Sequence, residues 1–208
     1  MNNKKINTDK IELGMGDALL AIDIQNDFLP GGRLAVPDGD QVIPVMNAYI
    51  DRFIQRRLPV FATRDWHPKN HHSFLQQGGP WPEHCIAGSP GAEFAQGLHL
   101  PATVQVFSKG TGVENDGYSD FANPEMIKQL EKLNVSRLFI GGLATDYCVR
   151  ATGADARALG FDLTVLTDAV RAVDVNPGDG DRALQELAAG GTGMTTTNEV
   201  LASMGSAE

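Results

Sequence analysis

The chain has 208 residues, 42% of them hydrophobic and 21% charged, with a formal net charge of −9 at pH 7. That length suits one domain with a sizeable core. The acidic balance excludes nucleic acid and anionic membrane surfaces as general partners, because both repel it.

Residues 1–16 are polar and carry no apolar stretch of signal-peptide length, so they read as an N-terminal extension ahead of a single domain over 17–208. No later run approaches the roughly 20 apolar residues that span a bilayer. Two cysteines, Cys85 and Cys148, are too few for a disulfide framework. The expected setting is the cytoplasm, with both thiols free. The sequence is silent on oligomeric state, and a homo-oligomer stays open.

Short apolar runs alternate with helical patterns, which predicts a parallel sheet wrapped by helices. Residues 18–24 (ALLAIDI) are nearly all apolar, as in a strand buried on both faces. Residues 42–57 place Val45, Tyr49, Ile50, Phe53 and Ile54 at helical spacing. Strands follow at 59–63 and 103–107, then a helix at 124–133 with proline in its first turn. A fourth strand at 137–142 leads to a helix at 147–159 that Gly160 ends. A fifth strand at 162–167, a helix at 179–189 and a sixth strand at 193–197 complete the pattern. Between 65 and 100 the pattern dissolves into Gly, Pro, Trp and His, far beyond the connections of about 2–6 residues usual in such folds.

The polar residues fall where those runs end. Asp23 lies near the end of the first strand, Asp65 and His67 past the second, Lys109 past the third, and Cys148 a short turn after the fourth. Ligands bind at the carboxyl ends of strands in open α/β sheets. Four strand ends therefore deliver an acid, metal-type ligands, a base and a thiol to one edge. With Thr145 or Asp146 as N-cap, Cys148 would sit in a first helical turn, where the dipole and free N–H groups favour a thiolate and can receive an oxyanion.

Taken singly, each residue has a plainer reading. Cys148 is then a small buried hydrophobe, Asp23 a hydrogen-bonded structural acid and Lys109 a surface lysine. Together they suit a site in which aspartate takes the thiol proton and lysine favours the thiolate.

Asp65 and His67, one residue apart, share a face in extended backbone. His84 would return from the long loop to meet them. Two imidazoles and a carboxylate suit zinc, iron or manganese, and three ligands leave positions for water or substrate. His71 stands as a further ligand or a partner to the ligands. His72 reads as exposed, His99 has no assigned role, and Cys85 is structural. The plainer reading of the cluster is a solvated loop.

DIQNDF (23–28), RDWHPKNHxSF (64–74), WPEHC (81–85), FSKG (107–110) and GGLATDYCV (141–149) are the stretches in question. In this order, over roughly 18–200, they resemble the nicotinamidases of the isochorismatase-like hydrolase superfamily. The resemblance implies a Rossmann-like three-layer α/β/α fold with a mostly parallel sheet of about six strands. It implies hydrolysis of nicotinamide to nicotinate and ammonia through a cysteine thioester, in NAD salvage, with pyrazinamide as a further substrate. Asp23, Lys109 and Cys148 would form the catalytic triad. Asp65, His67 and His84 would hold one divalent ion that engages the pyridine nitrogen, joined by His71 in some members. Phe28 and Trp81 would sandwich the ring and Tyr118 close the pocket. A cis peptide at Leu143–Ala144 would aim the N–H groups of Ala144 and Cys148 at the oxyanion. Isochorismatases and carbamoyl-amide hydrolases share the fold but generally lack the D-x-H…H ligands. A non-catalytic metal-binding module is the alternative from another class.

Overall fold

Alternation sorts the central strands between two cores. In β1 (Asp17–Ile22), Leu19 and Ala21 enter one cluster with Met46, Tyr49, Ile50 and Phe53, while Ala18, Leu20 and Ile22 enter another with Met126, Leu130 and Ala156. The same division holds in β4 (Arg137–Leu143), where Phe139 faces the first cluster and Leu138 and Ile140 the second. Both faces are thus covered by helices, which is why these strands are apolar nearly throughout.

This computed structural model describes residues 11–115 and 117–201. The remaining elements are α1 (Val42–Gln55), β2 (Val60–Asp65), β3 (Gln105–Lys109), α2 (Pro124–Lys132), α3 (Arg150–Ala158), β5 (Asp162–Arg171), α4 (Asp179–Ala189), β6 (Gly193–Thr195) and α5 (Thr197–Leu201). All six strands are parallel, in the order β3-β2-β1-β4-β5-β6. The order reverses between β1 and β4, so the crevice for a ligand opens at their carboxyl ends. Among the described residues no helix is long and apolar enough to cross a membrane.

Several boundaries move, with consequences. β2 runs to Asp65 and β3 to Lys109, so both polar residues are strand-terminal instead of lying in the loops beyond. The backbone ladder there continues under charged side chains. β1 stops at Ile22, and Asp23 leaves it with φ 49°. β5 extends to Arg171 across a register shift that takes its pairing from Ile140↔Val165 to Gly142↔Val170. β6 ends at Thr195, and helix α5 begins two residues later, where a strand was expected to continue. Of the expected N-terminal extension, residues 1–10 lie outside the described residues. Leu13 is buried, and Ile11 packs against the first cluster.

The fourth strand does not feed an α-helix directly. Thr145–Val149 forms a wide π-type turn with Ala144 as its N-cap, and α3 begins only at Arg150. Neither Thr145 nor Asp146 caps it with a side chain, contrary to expectation. Asp146 instead accepts from the backbone N–H groups of Val173 and Asp174 (3.0 and 2.9 Å), tying the turn to the loop after β5. The Leu143–Ala144 peptide is cis.

Candidate active site and metal-ligand cluster

The Lys109 ammonium, 3% exposed as a residue, is the centre of the site. Its Nζ lies 2.7 Å from Asp23 Oδ2, pairs closely with Asp65 Oδ1, donates to Gly117 O at 2.6 Å, and stands 3.4 Å from Cys148 Sγ. The β1, β2, β3 and β4 ends thus bring the expected acid, lysine and thiol together with Asp65. Thr63 donates to the other oxygen of Asp23 at 3.1 Å. A carboxylate oxygen of Asp23 also lies within 4.8 Å of Cys148 Sγ.

Electrostatics separates the two carboxylates. Burial pushes Asp23 from an ordinary 3.8 up to about 6, against the pull of Lys109 and with the help of Asp65. Burial also acts on Asp65, but there Lys109, His67 and His84 together win and hold its carboxyl below the usual range. Lys109 goes well up despite burial, because Asp23 and Asp65 flank it.

Cys148 departs from expectation. Burial pushes its thiol well above the ordinary value, and Lys109 only opposes that shift. Burial thus weighs against a thiolate here, and the carboxylate of Asp23 stands nearby to take the thiol proton.

The histidines converge on the far oxygen of Asp65. His67 Nδ1 donates to Gly110 O at 2.9 Å and His84 Nδ1 to Pro82 O at 2.8 Å, which fixes both tautomers. Each Nε2 then faces Asp65 Oδ2, at 3.4 Å from His67 and 4.0 Å from His84. Burial disfavours charge on both rings. Asp65 outweighs burial at His67, whose pKa rises, whereas burial prevails at His84.

Two imidazole lone pairs aimed at one carboxylate oxygen leave a corner that calls for a cation. An ion bonded at about 2.0–2.1 Å in tetrahedral geometry holds its ligands about 3.3 Å apart, close to this spacing. One donor atom from each of Asp65, His67 and His84 lies within 4.8 Å of the others. These residues fit a divalent metal. His71 stands apart, since its Nδ1 meets Ser73 Oγ at 2.7 Å and its Nε2 donates to Asn115 O at 2.9 Å, using both ring nitrogens. His72 and His99 are exposed and Cys85 is buried.

A cavity of about 390 Å³ opens over these groups, lined by Phe28, His67, Trp81, His84, Tyr118, Ala144 and Cys148 among others. Trp81 Nε1 donates to the Tyr118 hydroxyl at 2.9 Å, and both rings meet Tyr147 at centroid distances of 5.0 and 5.6 Å. The three expected ring-contacting residues therefore share one cavity. Tyr147, the neighbour of Cys148, joins them without having been singled out.

Sequence reasoning also passed over the supports. Gln25, fully buried, grips Asp65 at both ends: its Oε1 accepts from Asp65 N and its Nε2 donates to Asp65 O, each at 2.8 Å. Asp27 Oδ2 accepts from Cys85 N at 2.7 Å, holding the backbone beside His84. Both belong to DIQNDF, and two polar residues at a buried strand end were the available signal. Gly110 is required sterically: at φ 59°, an added Cβ would lie 2.3 Å from Cε1 of His67.

Fold and site define the class, a three-layer α/β hydrolase with a thiol at a strand-to-helix turn and a metal-type ligand set beside it. The isochorismatase domain model matches residues 17–199, and the chain belongs to that family. The chain is 39% identical over 200 residues to the nicotinamidase of Escherichia coli (strain K12), covering 86% of this chain and 94% of that protein. Among solved structures it resembles the pyrazinamidase of Pyrococcus horikoshii in complex with zinc (TM-score 0.83, 44% identity, 87% of this chain and 99% of that one). It also resembles PnC1 of L. infantum in complex with nicotinate (TM-score 0.84, 34% identity, 91% and 98%).

Proposed function

We propose that this chain is an amidohydrolase that converts nicotinamide to nicotinate and ammonia, in the cytoplasm, as a step of NAD salvage, and that it also accepts pyrazinamide. The observation that carries the proposal is the single ammonium of Lys109, in contact with Asp23, Cys148 and Asp65, the last two of which line one cavity. Support for the substrate comes from the nicotinamidase and nicotinate-bound relatives.

In this reading Cys148 Sγ attacks the carboxamide carbon while its proton passes to Asp23, which is ionised above about pH 6. Lys109 stabilises the negative charge shared between sulfur and carboxylate. The N–H groups of Ala144 and Cys148 receive the oxyanion. As the C–N bond breaks, Asp23 returns the proton to the nitrogen, which leaves as ammonia. Asp23 next takes a proton from water as it attacks the thioester, and returns it to sulfur as nicotinate departs. Phe28, Trp81 and Tyr118 hold the flat ring.

Asp65, His67 and His84 would hold one divalent ion, zinc in the first place, with iron or manganese as alternatives. Its contribution when bound is to orient the ring by taking the pyridine nitrogen as a ligand. Ammonia release from nicotinamide, measured on metal-loaded and metal-stripped protein, tests the reading. Turnover of the loaded protein is expected, and its absence with intact folding would overturn the proposal.

A further inference from the structure

Two residues before the nucleophile, a buried aspartate has both side-chain oxygens committed, and neither to the reaction. Asp146 is 6% exposed. Its Oδ1 accepts from Val173 N at 3.0 Å and its Oδ2 from Asp174 N at 2.9 Å.

The Val173–Asp174 end of this tie is anchored by other means. Arg171 still belongs to β5, where it pairs with Leu143, and its Nη2 donates to Gln41 Oε1 at 2.9 Å. Helix α4 packs so closely here that a Cβ on Gly180 would lie 2.5 Å from the Cβ of Ala172. Val173 packs against the first cluster, and Asp174 Oδ1 accepts from Gly180 N at 2.8 Å.

The other end has less to hold it. In Thr145–Val149 the backbone bonds run five residues apart, from Val149 N to Ala144 O at 3.1 Å and from Arg150 N to Thr145 O. This is wider than an α-helical turn, a geometry that is rare in general and frequent at functional sites. The turn carries Cys148, and its N-cap is Ala144. These two residues supply the thiol and the N–H groups proposed to receive the oxyanion.

We infer that Asp146 is a positioning residue for the nucleophile. Its two bonds splint the wide turn against the anchored loop and so set where Cys148 Sγ and the N–H groups of Ala144 and Cys148 stand relative to the carboxamide. The inference rests on the proposed function, in which those groups react. Val173 lines the cavity, so the same tie fixes the distance between the thiol and that wall. Asp146 itself does not line the cavity. Its loss therefore disturbs the alignment of the reacting atoms more than the binding of the ring.

The test compares the metal-loaded wild type with two variants, reading nicotinamide turnover and, separately, the affinity for nicotinate, which forms no bond to sulfur. Asp146→Ala removes both acceptors and should lower kcat by at least about tenfold, since a misplacement of about 1 Å can cost about a hundredfold. Asp146→Asn keeps the shape but can accept from only one of the two N–H groups, and should lower kcat by at least about threefold. In both variants, KM for nicotinamide and Kd for nicotinate should stay within about threefold of the wild type, the signature of an interaction that counts in the transition state.

An unchanged kcat in either variant would overturn the inference. So would a nicotinate affinity that falls as far as kcat, since that marks a general loosening of the fold. Should Asp146→Ala fail to fold, Asp146→Asn decides on the same two readings. Absence of turnover in the loaded wild type is a separate result, which refutes the proposed function and takes this inference with it.

Discussion

Gln25→Leu removes a side chain whose whole polar capacity is spent on the backbone around the metal cluster. The substitution roughly preserves volume but deletes three hydrogen bonds of 2.8 Å, to Asp65 N, Asp65 O and Ala92 O. All three backbone groups belong to buried residues. A buried polar group left unpaired costs about 1–3 kcal/mol. With some relaxation, and some water entering, the three together come to about 3–5 kcal/mol. That is a large part of the roughly 5–15 kcal/mol that holds a domain folded.

Asp65 also loses the clamp that sets its orientation toward His67 and His84. Loss of such support typically weakens metal binding 10–100-fold. Urea unfolding of metal-stripped protein reads the first effect, and zinc titration against a competing chelator reads the second. A stability loss under about 1 kcal/mol with unchanged zinc affinity would refute the reasoning.

Cys148→Ala and Asp23→Asn should each abolish ammonia release while circular dichroism and melting stay those of a folded protein; measurable turnover in either removes its assigned role. The carboxyl of Asp23 at about 6 sets the acid limb of kcat/KM, which should fall about tenfold per pH unit below that value. The same shift has a stability sign. Folded Asp23 keeps a proton that the unfolded chain gives up at 3.8, so its contribution favours folding below 3.8 and is withdrawn as pH rises to about 6. Urea midpoints should accordingly show Asp23→Asn gaining on the wild type across that window, and an unchanged or opposite difference would contradict the raised value. Chelation should raise KM for nicotinamide more than it lowers kcat, with recovery on adding zinc, iron or manganese; identical kinetics in metal-free protein would exclude an orienting ion.

The apolar runs made the sheet legible because strands buried on both faces need apolar residues at nearly every position. Their ends were less legible, since ladder hydrogen bonds are made by backbone and run on beneath Asp65 and Lys109. The six residues expected at the heart of the site do come together, and His71 does not join the ligand atoms. No local pattern tells a histidine that binds a cation from one that spends both nitrogens on neighbours. The wide turn at Thr145–Val149 was equally hidden, because Asp146 works as an acceptor for Val173 and Asp174, 27 and 28 residues away, instead of as a cap. Cys148 was expected to ionise on helix-terminal and lysine effects, and a burial of 6% exposure reverses that balance.

Lys109 serves two neighbouring acids with one positive charge, so the nucleophile and the cation-binding corner are not independent. Whatever draws negative charge on Asp65 toward the imidazoles releases part of Lys109 to Asp23 and the sulfur. By reciprocity, protonating the sulfur must alter cation affinity at the histidines by the same factor that a bound cation alters the sulfur's affinity for its proton.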